Sequence, residues 1–281
     1  MITVPELAAE ALGSFLADYM SKRYESWEAR LVAFVPSVAR IALECIGNSD
    51  ALYHNVEHTM LVTLAGHDIM RGRALHTHTS ASDYAHLMIA CLTHDIGYVR
   101  GLLPGDDEEG FVVDSSGAKA KLSRGSSDAA LMPHHVDRSK LFVIERFKNF
   151  ELLDAARVAR AVEGSRFPSG VPAASIETNE EADLLRAADL IGQLGDPQYI
   201  RKANALYHEF EEIGLNRQLG YDNPADLIHK YPQFYWNSVA EHVQTAIRYL
   251  NVTTSGREWI ANLHANVFRA ERAIRLSGPQ H

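Results

Sequence analysis

Cysteine is nearly absent from this sequence: Cys45 and Cys91 are the two among 281 residues. Two thiols cannot build a disulfide framework or a thiolate zinc site. Cys91 lies inside the apolar run Met88–Leu92 and reads as a buried free thiol. Basic charge is also scarce. A formal net charge of −9, with no basic stripe interleaved with aromatics, excludes nucleic-acid polymers as partners. No stretch reaches the roughly 18–20 apolar residues that cross a bilayer. The opening stretch Met1–Met20 carries acidic residues and lacks a basic segment followed by an apolar one, so it does not read as a signal peptide. A cytoplasmic protein without membrane contact is the expectation. Strand alternation with hairpin turns, internal repeats and low-complexity tracts are missing as well.

What is present is helical patterning on an ordinary globular composition, 46% hydrophobic and 22% charged, in a chain long enough for a substantial core. Apolar periodicity predicts helices over about 5–20, 27–46, 51–71, 82–96, 136–149, 151–163, 180–194, 198–213, 231–250 and 256–275. The expectation is an all-α protein, one helical domain over 1–281 with terminal elaborations. Homo-oligomerisation stays open. Two irregular stretches interrupt the helices. Residues 97–130, rich in Gly, Asp and Ser, read as a lid or a disordered segment. Residues 164–179 carry too much Pro, Gly and Ser to continue a helix.

Histidine is the compositional oddity: 14 residues, clustered in 54–94 and at 134–135. Histidine is the commonest metal ligand and acid-base side chain near neutral pH. His54 and His58 lie four apart and share a face if both are helical; such a pair is a ligand pair, a ligand beside an acid, or a solvated stripe. His94-Asp95 closes an apolar run. A buried carboxylate needs a partner, and a cation is the simplest one. Helix C-terminal capping would suit a cationic His94 but not Asp95, and Gly97 permits the chain to break there. His67-Asp68 falls about 900° around the helix from His58, on the opposite face, and reads as surface. Asp189 sits among apolar residues of a predicted helix, where a cation or a buried salt bridge would satisfy it. Together, two imidazoles and two carboxylates from three helices suit Zn²⁺, Fe²⁺, Mn²⁺ or Mg²⁺, as one ion or as two about 3.5–4 Å apart.

The order His58, His94-Asp95, Asp189 resembles the HD superfamily of metal-dependent phosphohydrolases, and Tyr53-His54-Asn55-Val56-Glu57-His58 resembles the YHNxxH signature of its cyclic-nucleotide phosphodiesterase branch. The resemblance covers roughly residues 50–195 and implies an HD-type helical bundle there, with an N-terminal elaboration and a C-terminal helical extension over about 196–275. It implies that His58, His94, Asp95 and Asp189 are ligands for one or two divalent metal ions, and that His54 is the catalytic acid that protonates the leaving oxygen. Glu57 is a candidate for orienting a ring nitrogen on the same helix. One position departs from the branch: where it carries a further histidine, four after His94, this chain has Tyr98.

Substrate contacts are sought among the remaining basic groups. His135 and Arg138 lie three apart at a predicted helix start, a favourable place for an anion, although His135 is equally a candidate second-metal ligand. Arg166 and Arg100 are further phosphate candidates. The aromatic stretch Tyr231–Trp236 and Trp259 read as core or interface rather than as a base-stacking surface. The resulting expectation is hydrolysis of a small, nucleotide-like or other phosphate ester. Its rivals are an HD-type di-iron oxygenase and a non-catalytic, metal-containing helical binding module.

Overall fold

Helix-start chemistry is spread along the chain. Thr3 and Glu6 form a capping box before α1 (Val4–Arg23), with a proline in its first turn. α2 (Ala29–Ile46) lies against α1. α3 (Val56–Arg73) starts where the side chain of Asn55 accepts the N–H groups of Glu57 and His58. Ser80 and Asp83 box the start of α4 (Ala81–Thr93), in which every residue from Tyr84 to Thr93 is buried, as expected of a helix apolar all round. After α4 comes a 3-10 turn, Ile96–Tyr98. A short antiparallel hairpin follows, β1 (Phe111–Val112) with β2 (Lys119–Ala120), Phe111 opposite Ala120. The chain then runs through α5 (His135–Phe147), α6 (Ala155–Val162), α7 (Glu180–Leu194), α8 (Tyr199–Glu212), α9 (Leu215–Leu219), α10 (Pro224–Phe234), a π-helical turn (Tyr235–Val239), α11 (Ala240–Leu250) and α12 (Thr254–Leu276). This computed structural model describes residues 2–24, 29–166 and 179–276.

The fold is all-α, as the periodicity predicted. Four local differences have physical causes. The predicted helix from 51 starts at Val56 because Asn55 caps it, which leaves His54 outside. The predicted helix over 231–250 is interrupted by the π turn. The helix placed at 151 starts at Ala155, where Asp154 accepts the N–H of Arg157. The β1–β2 hairpin, too short to show alternation, lies in the stretch read as irregular. Most of the second irregular stretch, residues 167–178, lies outside the described residues. Among the described residues no helix is long and apolar enough to cross a membrane.

Two glycines set the spacing of the central elements. A Cβ on Gly192 of α7 would lie 2.8 Å from the N and Cα of Val62 in α3, so these helices meet backbone to backbone, one turn from Asp189 and one from His58. A Cβ on Gly97 would lie 2.0 Å from the carbonyl oxygen of His135. Here α5 is bonded to the end of α4: the N–H of Gly97 donates to Ser139 Oγ (2.8 Å), and that hydroxyl donates to the carbonyl of His94 (2.7 Å).

The stretch 97–130 is strapped down rather than free, and Arg138 is the strap. Its side chain is fully buried. It donates to the carbonyls of Gly97, Val99 and Val112 at 2.7, 2.8 and 2.6 Å and to both oxygens of Asp106 at 3.0 and 2.9 Å. Those bonds use the full donor capacity of a guanidinium. The expectation that Arg138 contacts substrate is therefore corrected: it faces inward, and no donor is left for a phosphate.

Candidate metal centre

Three elements deliver four ligand-type side chains to one point. α3 presents His58 in its first turn, the end of α4 presents His94, the following residue Asp95 opens the 3-10 turn, and α7 presents Asp189. His58 Nε2 lies 3.2 Å from Asp95 Oδ2 and 3.3 Å from Asp189 Oδ1. His94 Nε2 lies 3.1 Å from Asp95 Oδ2 and 3.8 Å from Asp189 Oδ1. His58, His94 and Asp95 are buried, while Asp189 keeps 20% of its side chain exposed.

The hydrogen bonds around the cluster fix how the rings point. His94 Nδ1–H donates to the carbonyl of Cys91 (2.8 Å), so Nε2 turns to the carboxylates. A neutral imidazole lone pair 3.1 Å from a carboxylate oxygen is repulsive unless a proton or a cation stands between them. His58 Nε2, His94 Nε2 and Asp95 Oδ2 are all buried without a hydrogen-bond partner, against the rule that buried polar atoms are satisfied. Burial disfavours the charged rings, yet Asp189 and Asp95 more than reverse this, raising His58 to about 10; Asp95 and Asp189 likewise raise His94. Burial also opposes ionisation of Asp95, but His94, His54 and His58 hold its carboxyl well below the usual range. The donor set fits a divalent cation: His58, His94 and Asp189 offer atoms within 4.8 Å of one another, and His54, His58 and Asp95 form an overlapping group.

His54 is placed differently from its predicted helical setting. It precedes α3, yet its ring centroid lies 5.3 Å from that of His58. Its Nδ1–H donates to Glu209 Oε2 (2.5 Å), while Glu209 Oε1 accepts the N–H groups of Tyr53 (2.6 Å) and His54 (3.2 Å). Burial would raise the Glu209 carboxyl; the His54 ring and those two N–H donors outweigh it and leave it lowered. Tyr98 is buried and its ring is stacked between those of His54 and His135, with centroids 4.7 and 4.6 Å apart. His135 Nδ1–H donates to the carbonyl of Met132 (2.6 Å), and its Nε2 lies 3.7 Å from Asp95 Oδ1.

Other predicted contacts fall elsewhere. Glu57 is exposed and pairs with Lys202 at 2.8 Å, so it orients no histidine; Glu209 of α8 does. Sequence reasoning missed Glu209, although a carboxylate on the apolar stripe Leu206, Phe210 and Ile213 is the same signal that marked Asp189. Arg100 is held by Asp128 and, at 2.7 Å, by Asp50. Arg166 is held by Glu163 and, at 2.8 Å, by Asp137. The reading of His67-Asp68 as surface is corrected: both are buried. His67 bonds Tyr84 Oη through Nδ1 (2.7 Å) and lies edge-on to Phe15 and Tyr19. Asp68 accepts from Ser255 (2.6 Å) and Trp259 (3.1 Å), docking α12 on α3.

Beyond Asp95 and Asp189 a cavity of about 470 Å³ extends between the turn before α5 and helices α7, α8 and α10. His54, Tyr98, His135 and Arg166 also reach its surface, and Tyr231 and Phe234 of the predicted core stretch form part of its far wall.

Fold and site together define an all-α protein with a buried histidine–aspartate cluster able to hold a metal ion. The sequence profile of the Npun_R2479-like family matches residues 3–273, and the chain belongs to that family. No curated protein and no solved structure matches it.

Proposed function

We propose that this protein is a metal-dependent phosphohydrolase of the HD type, acting on a small phosphate ester with one or two divalent ions held by His58, His94, Asp95 and Asp189. One observation carries the reading. Three buried ligand-type atoms, His58 Nε2, His94 Nε2 and Asp95 Oδ2, face one another with no hydrogen-bond partner, and their residues come in the HD order along the chain. A divalent ion bound there would bring the pKa of water towards neutrality and draw charge from a phosphoryl oxygen.

The chain's own groups supply the rest. The bonded Nδ1 positions of His94 and His135 keep both rings turned to the carboxylates. His54 is the acid: Glu209 accepts from its Nδ1 and fixes its ring, so that Nε2 is the nitrogen turned to deliver a proton to the leaving oxygen. Tyr98 holds the His54 and His135 rings at a set spacing. The apolar cavity walls exclude water from the developing charge.

The test is metal analysis of the purified protein followed by a screen against cyclic nucleotides, nucleoside mono- and triphosphates and simple phosphodiesters. Turnover that is abolished by a chelator and restored by metal supports the reading. A metal-loaded protein inert on every ester points to a non-catalytic, metal-containing binding module. The placement of His135 beside Asp95 favours a second reading, a di-iron oxygenase, because it extends the donor set; activity that needs iron and O₂ would establish it.

A further inference from the structure

The cavity beside the metal cluster has a definite chemical character. Its volume of about 470 Å³ falls within the roughly 300–1,000 Å³ of small-molecule sites. Asp95, Asp189 and His54 lie at one end. The walls built by α8 and α10 are Tyr199, Leu206, Phe210, Leu227, Tyr231 and Phe234, and Ser165, Gln193 and Gln218 add uncharged polar groups elsewhere on the lining. Arg166 is the one guanidinium or ammonium group among the described lining residues. It is already engaged by Glu163 and Asp137, and Lys140 bonds Glu163 at 2.7 Å and lies 3.6 Å from Asp137. Two cations and two carboxylates thus neutralise one another. Among the described lining residues no unpaired Arg or Lys remains to balance the second and third phosphates of a polyphosphate. An aromatic and aliphatic chamber instead gains free energy by removing apolar surface from water.

The geometry points to a substrate with a single phosphate ester group at the metal end and an apolar body, an aryl or alkyl group, seated between α8 and α10. The ester group rests on the hydrolase reading; the apolar body rests on the cavity alone.

The probe is 1-naphthyl phosphate, with inorganic phosphate and ATP as references. Binding is measured by calorimetry on the protein as purified and after chelation. Leu219→Trp and Ile213→Trp fill the chamber from half-buried lining positions outside the donor set, with melting temperature and metal content measured on each. The naphthyl ester is expected to bind about a hundredfold more tightly than inorganic phosphate and ATP. Either filling variant should weaken it about tenfold with melting and metal content unchanged. Equal binding of ATP, or naphthyl affinity indifferent to both variants, overturns the inference. The two readings fail separately. Leu219-dependent naphthyl binding by a protein that holds no metal keeps the inference and rejects the hydrolase. Hydrolysis of nucleotides with no naphthyl preference rejects the inference and keeps the hydrolase.

Discussion

A lone pair aimed at a carboxylate is the most informative feature at the residue scale. His94 cannot turn away, because Cys91 holds its other nitrogen, so truncating it or its partner removes a ligand without offering a substitute. His94→Ala and Asp95→Ala are each expected to lose bound metal and turnover together, measured by elemental analysis beside an activity assay. His54→Ala should behave otherwise: metal retained and rate lowered about 10²–10⁴-fold, the usual worth of a positioned acid. Metal loss in that variant would make His54 a ligand, which its grouping with His58 and Asp95 permits. Glu209→Gln should lower the rate by less, because it keeps an acceptor for the ring nitrogen and so keeps the ring in place; metal content and rate measured beside those of His54→Ala check it. Legibility at this scale depended on context along the chain. Asp95 and Asp189 stood out because each interrupts an apolar run. The His54–Glu209 bond did not, since it joins positions 155 apart and no local pattern pairs them.

At the scale of elements, Arg138 shows why a helix start cannot reveal what its side chain reaches. Spacing put His135 and Arg138 near one face, but the hairpin stretch folds back under α5 and takes the guanidinium inward. Arg138→Met should cost about 3–5 kcal/mol of stability, the range for stranding one member of a buried ion pair, here Asp106; urea midpoints measure it. His67 carries the complementary lesson. Periodicity correctly put it opposite His58, but α3 is a central helix, and its far side is covered by α1, α4 and α12. Burial holds His67 neutral down to about 4, with Arg71 adding to this and Asp68 opposing. The unfolded chain takes up that proton near 6.5, so the stability contributed is complete above 6.5 and is lost as pH falls towards 4, by at most about 1.4 kcal/mol per pH unit. Burial lowers His86 in the same direction. Urea midpoints at pH 7 and pH 5 should differ less in His67→Phe than in the parent chain.

At the scale of the whole molecule, the all-α class was legible because apolar spacing of helical period runs through most of the chain, whereas the hairpin was not, being two residues per strand. The candidate site draws on positions 58, 94, 95 and 189, so an ion there would join segments far apart in sequence. Chelation should therefore lower the melting temperature of the intact protein, and re-addition of metal should restore it in proportion to RT ln(1 + [M]/Kd). Asp189→Asn should shrink this shift. A shift that survived substitution of all four residues would locate the ion elsewhere.

One turn of α8 carries two duties. Glu209 steadies His54, while Leu206 and Phe210, on either side of it, shape the cavity. Any change that makes more room at 206 or 210 falls on the same turn that carries Glu209. On the hydrolase reading, which molecules fit and how fast they react would be inherited together, and a variant selected for a bulkier guest is expected to arrive with a slower proton donor until a second substitution restores the hold on His54.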